Sequence, residues 1–167
     1  VDGVLFAIKD SSIFIASVVV YSVSVLIRKP IMKYLLIQIT APITQADRNS
    51  LDKDLERYEV KRGIFKSMIF IILAYIILGI INFNLNISIV TAEFGTQLFN
   101  QQVAEVNSIT RIFMPVVSII VFAFAFYTVY NPLVKPYKEY LKKGENYLEF
   151  TYSQLLTKKH EQDKQSD

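Results

Sequence analysis

The chain has no cysteine among its 167 residues. Disulfides, thiolate metal sites and thiol nucleophiles are therefore excluded. Histidine is nearly as scarce. The one residue, His160, lies among lysines in "TKKHEQDK". A solvated surface is its ordinary setting there, and no second histidine or carboxylate pair supports a metal or triad role. The five glycines are isolated, so no glycine-rich phosphate loop can form. Charge is missing from long stretches: positions 67–92 and 112–134 give 26 and 23 uncharged residues in a row, and Ser11–Ile27 gives 17. Membrane relays and transporters keep ionisable groups inside their spans, and the two longer runs hold none. The reading is of no enzyme, no cofactor and no small-molecule substrate.

What is present is apolar length. Hydrophobic residues make up 52% of the chain and the mean hydropathy is +0.33, above the usual soluble balance. A helix rises about 1.5 Å per residue, so about 20 residues cross a hydrocarbon core of about 30 Å. The two long runs exceed that length and the third lies at its lower limit. The valines of the first run (Val18, Val19, Val20, Val23, Val25) would suit a strand in water. In lipid only a helix or a closed barrel satisfies the backbone, and one run builds no barrel. A chain of this size cannot bury three helices that are apolar on every face. The expected fold is all-α: an integral membrane protein with three transmembrane helices, at about 8–28, 67–88 and 111–131, plus amphipathic cytoplasmic helices. Residues 1–134 form the three-span domain and 135–167 an amphipathic or disordered cytoplasmic tail. The first run has no basic cluster ahead of it and no small-x-small site after it, so it reads as a retained helix and not a cleaved signal.

Lysine and arginine set the orientation. Segment 28–66 carries nine basic against five acidic residues, 82–111 has one basic residue, Arg111, and the chain from 131 onward has seven lysines. This predicts a multi-pass protein of the cell membrane with its N-terminus outside and its C-terminus cytoplasmic. The net charge of +3 comes from bases interleaved with acids beside the spans. Attraction to anionic headgroups accounts for it, and nucleic acid is not implied.

Between the first two spans, "IMKYLLIQITAPI" (31–43) is too short to cross and too apolar to lie free in water, which suggests an interfacial, re-entrant or partner-covered segment. Asn49, with Asp52 three residues later, reads as an N-cap. Leu51, Leu55, Tyr58 and Phe65 then recur at helical spacing, giving a cytoplasmic helix at about 49–66 that runs on without a break to about 81. That face either binds a partner or folds on the protein's own tail. In the tail, Leu148, Tyr152, Leu155 and Leu156 share a helical face, with a split near Gly144, and "HEQDKQSD" reads as disordered. Asn131-Pro132 and Pro136 are expected to end the third span.

Polar residues near the span ends are the candidate contact sites. Asn82, Asn84 and Asn86 fall near the outer boundary, with Asn82 and Asn86 on one helical face. Asn86-Ile87-Ser88 also matches the glycan acceptor pattern. The stretch "TAEFGTQLFNQQVAEVNSITRIF" sets Phe94, Leu98, Val103 and Val106 among amides, which suggests a helical cap along the membrane surface. Glu105 and Arg111 are placed to pair there.

The layout of an outer N-terminus, three spans and a basic amphipathic helix between the first two is similar to the minimal plan of the Oxa/YidC insertases. That resemblance implies insertion of nascent membrane proteins. It covers layout alone, and the membrane-embedded positive charge expected of that family has no counterpart in these neutral runs. The missing chemistry and the apolar surface outside the spans favour a non-catalytic subunit, an accessory or scaffold component of a larger membrane complex. Its partners would be the lipid bilayer and other membrane subunits or copies of itself. A homo-oligomeric channel or holin-like pore, lined by Ser11, Ser12, Ser17, Ser22 and Ser24, is one alternative, and an Oxa/YidC-type insertase is the other.

Overall fold

The computed structural model describes residues 2–40 and 44–166. Among the described residues the chain is helical, with no strand. The helices are α1 (Asp2–Leu26), α2 (Ile31–Thr40), α3 (Gln45–Leu55), α4 (Tyr58–Ile89), α5 (Gln97–Val134) and α6 (Tyr152–Ser166), and two short 3-10 turns, Lys135–Tyr140 and Tyr147–Glu149, separate α5 from α6. Three helical stretches, Asp2–Leu26, Tyr58–Ile89 and Gln97–Tyr140, are long and apolar enough to cross a membrane.

The helix ends follow local chemistry. α1 stops where Arg28 turns left-handed, at φ 58°, two residues ahead of Pro30. The cap of α3 is Thr44, not Asn49. Its hydroxyl accepts from the Asp47 amide at 3.1 Å while the Asp47 carboxylate accepts from the Thr44 amide at 3.3 Å, a reciprocal capping box. Asn49 lies inside the helix that this box starts. Pro42, read as punctuation, falls outside the described residues.

α3 and α4 are separate helices. The unbroken rod expected from 49 to 81 is interrupted at Glu56 and Arg57. Gln97–Val134 is in turn one helix of 38 residues, so the cap expected before the third apolar run is the first part of that same helix. Thr96 starts it, accepting from the Phe99 amide at 3.1 Å. Nor does Pro132 end it: α5 runs on to Val134. α6 continues to Ser166, so helix replaces the disorder expected there.

The chain divides into two compact units. One comprises Val1–Leu26 and Ile69–Ala123, the other Ile27–Met68 and Phe124–Asp167. In the first, Val90, Phe99 and Val106 are buried with Phe6, Ile89 and Val103 against them. Phe14, Tyr21, Tyr75 and Phe122 meet in tilted or edge-to-face pairs, with ring centroids 5.5–6.4 Å apart, the arrangement aromatic quadrupoles prefer. The second unit has its own core of Met32, Leu36, Leu51, Leu55, Leu133, Tyr152, Leu155 and Leu156.

Candidate functional site

Each unit holds a carboxylate that gathers hydrogen bonds from segments distant in the chain. In the first, helical periodicity sorts the three asparagines. Positions 82 and 86 are one turn apart, and their side chains are buried. Asn84, about 200° around the helix, is exposed and donates to the Ile80 carbonyl of its own helix at 2.8 Å. The buried pair converges on Asp10 of α1. Asn82 Nδ2 donates to Asp10 Oδ2 at 2.9 Å and to Ser11 Oγ at 3.1 Å. Asn86 Nδ2 donates to the same Asp10 oxygen at 3.0 Å and to the Asn82 carbonyl at 2.8 Å.

Asp10 is the residue that run-by-run reading missed, since it stands one position ahead of the neutral stretch. The signal available was its helical register with Ser11 and the paired amides opposite. Asn86 is fully buried, so a glycan on it would require opening this cluster, and the acceptor pattern has no accessible side chain behind it.

Four of the serines expected to line a pore are engaged inside the unit, Ser11 by accepting from Asn82. Ser12, Ser17 and Ser24 donate to carbonyls of their own helix, those of Lys9, Ile13 and Tyr21, at 2.6–2.8 Å. Glu105 and Arg111 are both exposed and no ion pair joins them. Six residues on one helix is about 600°, which leaves them some 120° apart. Phe94 and Leu98 are exposed, whereas Val106 is buried in its unit.

In the second unit Asp54 accepts hydroxyls from Tyr137 at 2.6 Å and Tyr152 at 2.8 Å. Arg57, one turn on, stands 3.4 Å from the other carboxylate oxygen. Its Nη2 donates to the carbonyls of Pro132 and Leu133 at 2.9 and 2.7 Å. These are end carbonyls of α5, which lack partners within the helix, and a cation there also meets the negative end of the helix dipole. The break between α3 and α4 thus falls where Arg57 caps another helix. Burial, then the hydrogen bonds with Tyr137 and Asp54, push the Tyr152 phenol well above its ordinary pKa. It stays neutral at physiological pH, and the charge of Asp54 is balanced by Arg57. This arrangement is a clasp between segments.

Of the residues expected to form a partner-binding face, Leu51 and Leu55 are buried within the second unit, while Tyr58 and Phe65 are 72% and 56% exposed. The face therefore divides at the helix break. α2 divides likewise: Met32 and Leu36 are buried, and Tyr34 and Ile39 exposed. His160 is exposed. Among the described residues no three His, Cys, Asp or Glu side chains gather in a metal-binding group.

Compared with protein-family models, curated proteins and solved structures, the chain matches none.

Proposed function

We propose that this chain is an integral membrane subunit without catalytic activity, which packs against other membrane proteins as an accessory or scaffold component. One observation carries the reading. In the three long apolar helices only 17%, 28% and 22% of the most hydrophobic stretch is buried within the chain. Ile13, Leu73, Ile112 and Ile119 are all more than half exposed. Apolar surface on that scale needs lipid or protein over it. The ordered polar groups act inside each unit, Asp10 with its amides and Asp54 with its phenols, and so serve packing.

The topology follows from the basic residues: Asp2 outside, the 28–66 segment and α6 on the cytoplasmic side, in the cell membrane. Exposed apolar positions outside the long uncharged runs, Tyr34 and Ile39 on α2 and Phe65 near the start of α4, are then candidates for contact with neighbouring subunits. A pore is disfavoured by Ser12, Ser17 and Ser24 of α1, whose hydroxyls are taken up by their own backbone. Extraction in mild detergent followed by native mass spectrometry tests the proposal. Stoichiometric recovery with unlike subunits supports it, and a closed ring of identical chains that conducts ions in a planar bilayer contradicts it.

A further inference from the structure

In the second unit a cleft of about 330 Å³ opens between the start of α4 and the end of α5. Tyr58, Glu59, Arg62 and Lys66 line one side, Thr128 and Pro132 the other. Its floor is backbone: a Cβ added at Gly63 would stand 2.9 Å from the Thr128 carbonyl oxygen, so the two helices meet closely there. Tyr58, Arg62 and Lys66 follow one another at four-residue spacing and form one stripe of α4, and all three are exposed.

The cations of this unit differ in their state of pairing. Lys33 and Lys61 are matched by Glu56, Arg57 by Asp54 and Lys158 by Glu145. Among the described residues Arg62 and Lys66 have no ion-pair partner, although they flank the same cleft. Among the described residues, the only carboxylate lining it is that of Glu59. Phe65, between the two cations, is more than half exposed, and the uncharged run of α4 begins at Ser67. Two unpaired cations and a phenol at the start of an apolar helix match an amphiphile with an anionic head.

We infer that this cleft binds the phosphate headgroup of an anionic phospholipid, with Arg62 and Lys66 on the phosphate oxygens and Tyr58 as a hydroxyl donor. The inference rests on the membrane reading above, because a lipid reaches the cleft only if α4 enters a bilayer. Arg62 offers a planar fork of donors and Lys66 a mobile point charge, a combination suited to a phosphate. Glu59 opposes the ligand's charge and limits affinity.

The test is native mass spectrometry of the full chain in detergent, with added dioleoyl phosphatidylglycerol or phosphatidylcholine. The phosphatidylglycerol adduct is expected to be retained in preference. Arg62→Gln and Lys66→Gln should each weaken retention about fivefold, the worth of one cation at a membrane surface. Glu59→Gln should strengthen it. Lys61→Gln, which removes the same charge from a residue paired with Glu56, should leave it within about twofold.

Equal retention of the two lipids overturns the inference, as does a loss in Lys61→Gln that matches Arg62→Gln. Displacement of the lipid by millimolar inorganic phosphate also overturns it, by assigning the cleft to a soluble anion. The membrane reading fails by a separate sign, a chain that stays monodisperse once detergent is removed.

Discussion

Tyr152 donates its hydroxyl to Asp54 at 2.8 Å, across 98 positions of chain. The bond ties α6 to the end of α3. Tyr137 donates to the same Asp54 oxygen, so one carboxylate gathers three segments.

Removal of that acceptor should be felt more than removal of one donor. Asp54→Ala leaves two phenols without their acceptor and Arg57 without its counter-charge, and a buried unsatisfied group costs about 1–3 kcal/mol. Tyr152→Phe loses one hydrogen bond, about 1 kcal/mol. For a chain of this size each kcal/mol lowers Tm by about 2–4 °C. Thermal unfolding in detergent should rank the parent above Tyr152→Phe and that above Asp54→Ala; an Asp54→Ala protein that melts with the parent would remove the clasp from the account.

The same phenol predicts sensitivity to alkali. Because burial raises the folded-state pKa of Tyr152, the folded protein holds a proton that the unfolded chain releases near pH 10. Its contribution is present in full below that pH and declines above it. Unfolding followed from pH 8 upward should begin its decline near pH 10, and Tyr152→Phe should make that limb shallower. An identical alkaline limb in the variant would show that the phenol is not coupled to folding.

A weaker dependence is expected at the acid end. Lys61, by hydrogen bond and charge, and then Lys33 hold the exposed Glu56 carboxyl below its ordinary pKa. The pairing helps at any pH above the unfolded value of about 4.3 and is lost as pH falls through the lowered folded value. Glu56→Gln should flatten the acid limb slightly and leave stability between pH 6 and 8 almost unchanged, as exposed pairs do. A large loss at neutral pH would mean that Glu56 braces α2 and α4 more strongly than a surface pair can.

Packing of α1 on α4 can be tested by crosslinking, since the chain has no cysteine of its own to interfere. A Cβ placed on Gly79 would stand 3.1 Å from that of Phe14, close to the 3.5–4.5 Å of a disulfide. Phe14→Cys with Gly79→Cys should oxidise readily to the intramolecular bond, seen as a mobility shift reversed by reductant. Phe14→Cys with Asn84→Cys, on the outward face, should not. Crosslinking of the second pair and not the first would reverse the facing of α4.

These tests address different depths of what the residues disclose. Apolar length predicted the long helices, because an uncharged run needs no knowledge of its neighbours to be recognised. The apolar face of the tail was legible in part: Tyr152, Leu155 and Leu156 are all buried on α6, whereas Leu148 lies half-buried in the 3-10 turn ahead of it. The spacing of Asn82 and Asn86 showed that they share a face, but not that Asp10 lies opposite. A carboxylate at the edge of a neutral run looks like its boundary until the partner helix is placed.

The contact that accompanies the break at Arg57 was hidden, because the α5 carbonyls it caps lie 75 residues away. The Thr44 cap was readable. Threonine with an acid three residues on is the capping-box pattern, and Asn49 with Asp52 offered the same spacing without winning.

The central claim is that α1, α4 and α5 lie in a lipid bilayer, and washing of cell membranes with alkaline sodium carbonate tests it most directly. The account predicts that the chain stays in the membrane pellet and enters solution only with detergent. Release into the carbonate supernatant as a monodisperse, folded protein would contradict it.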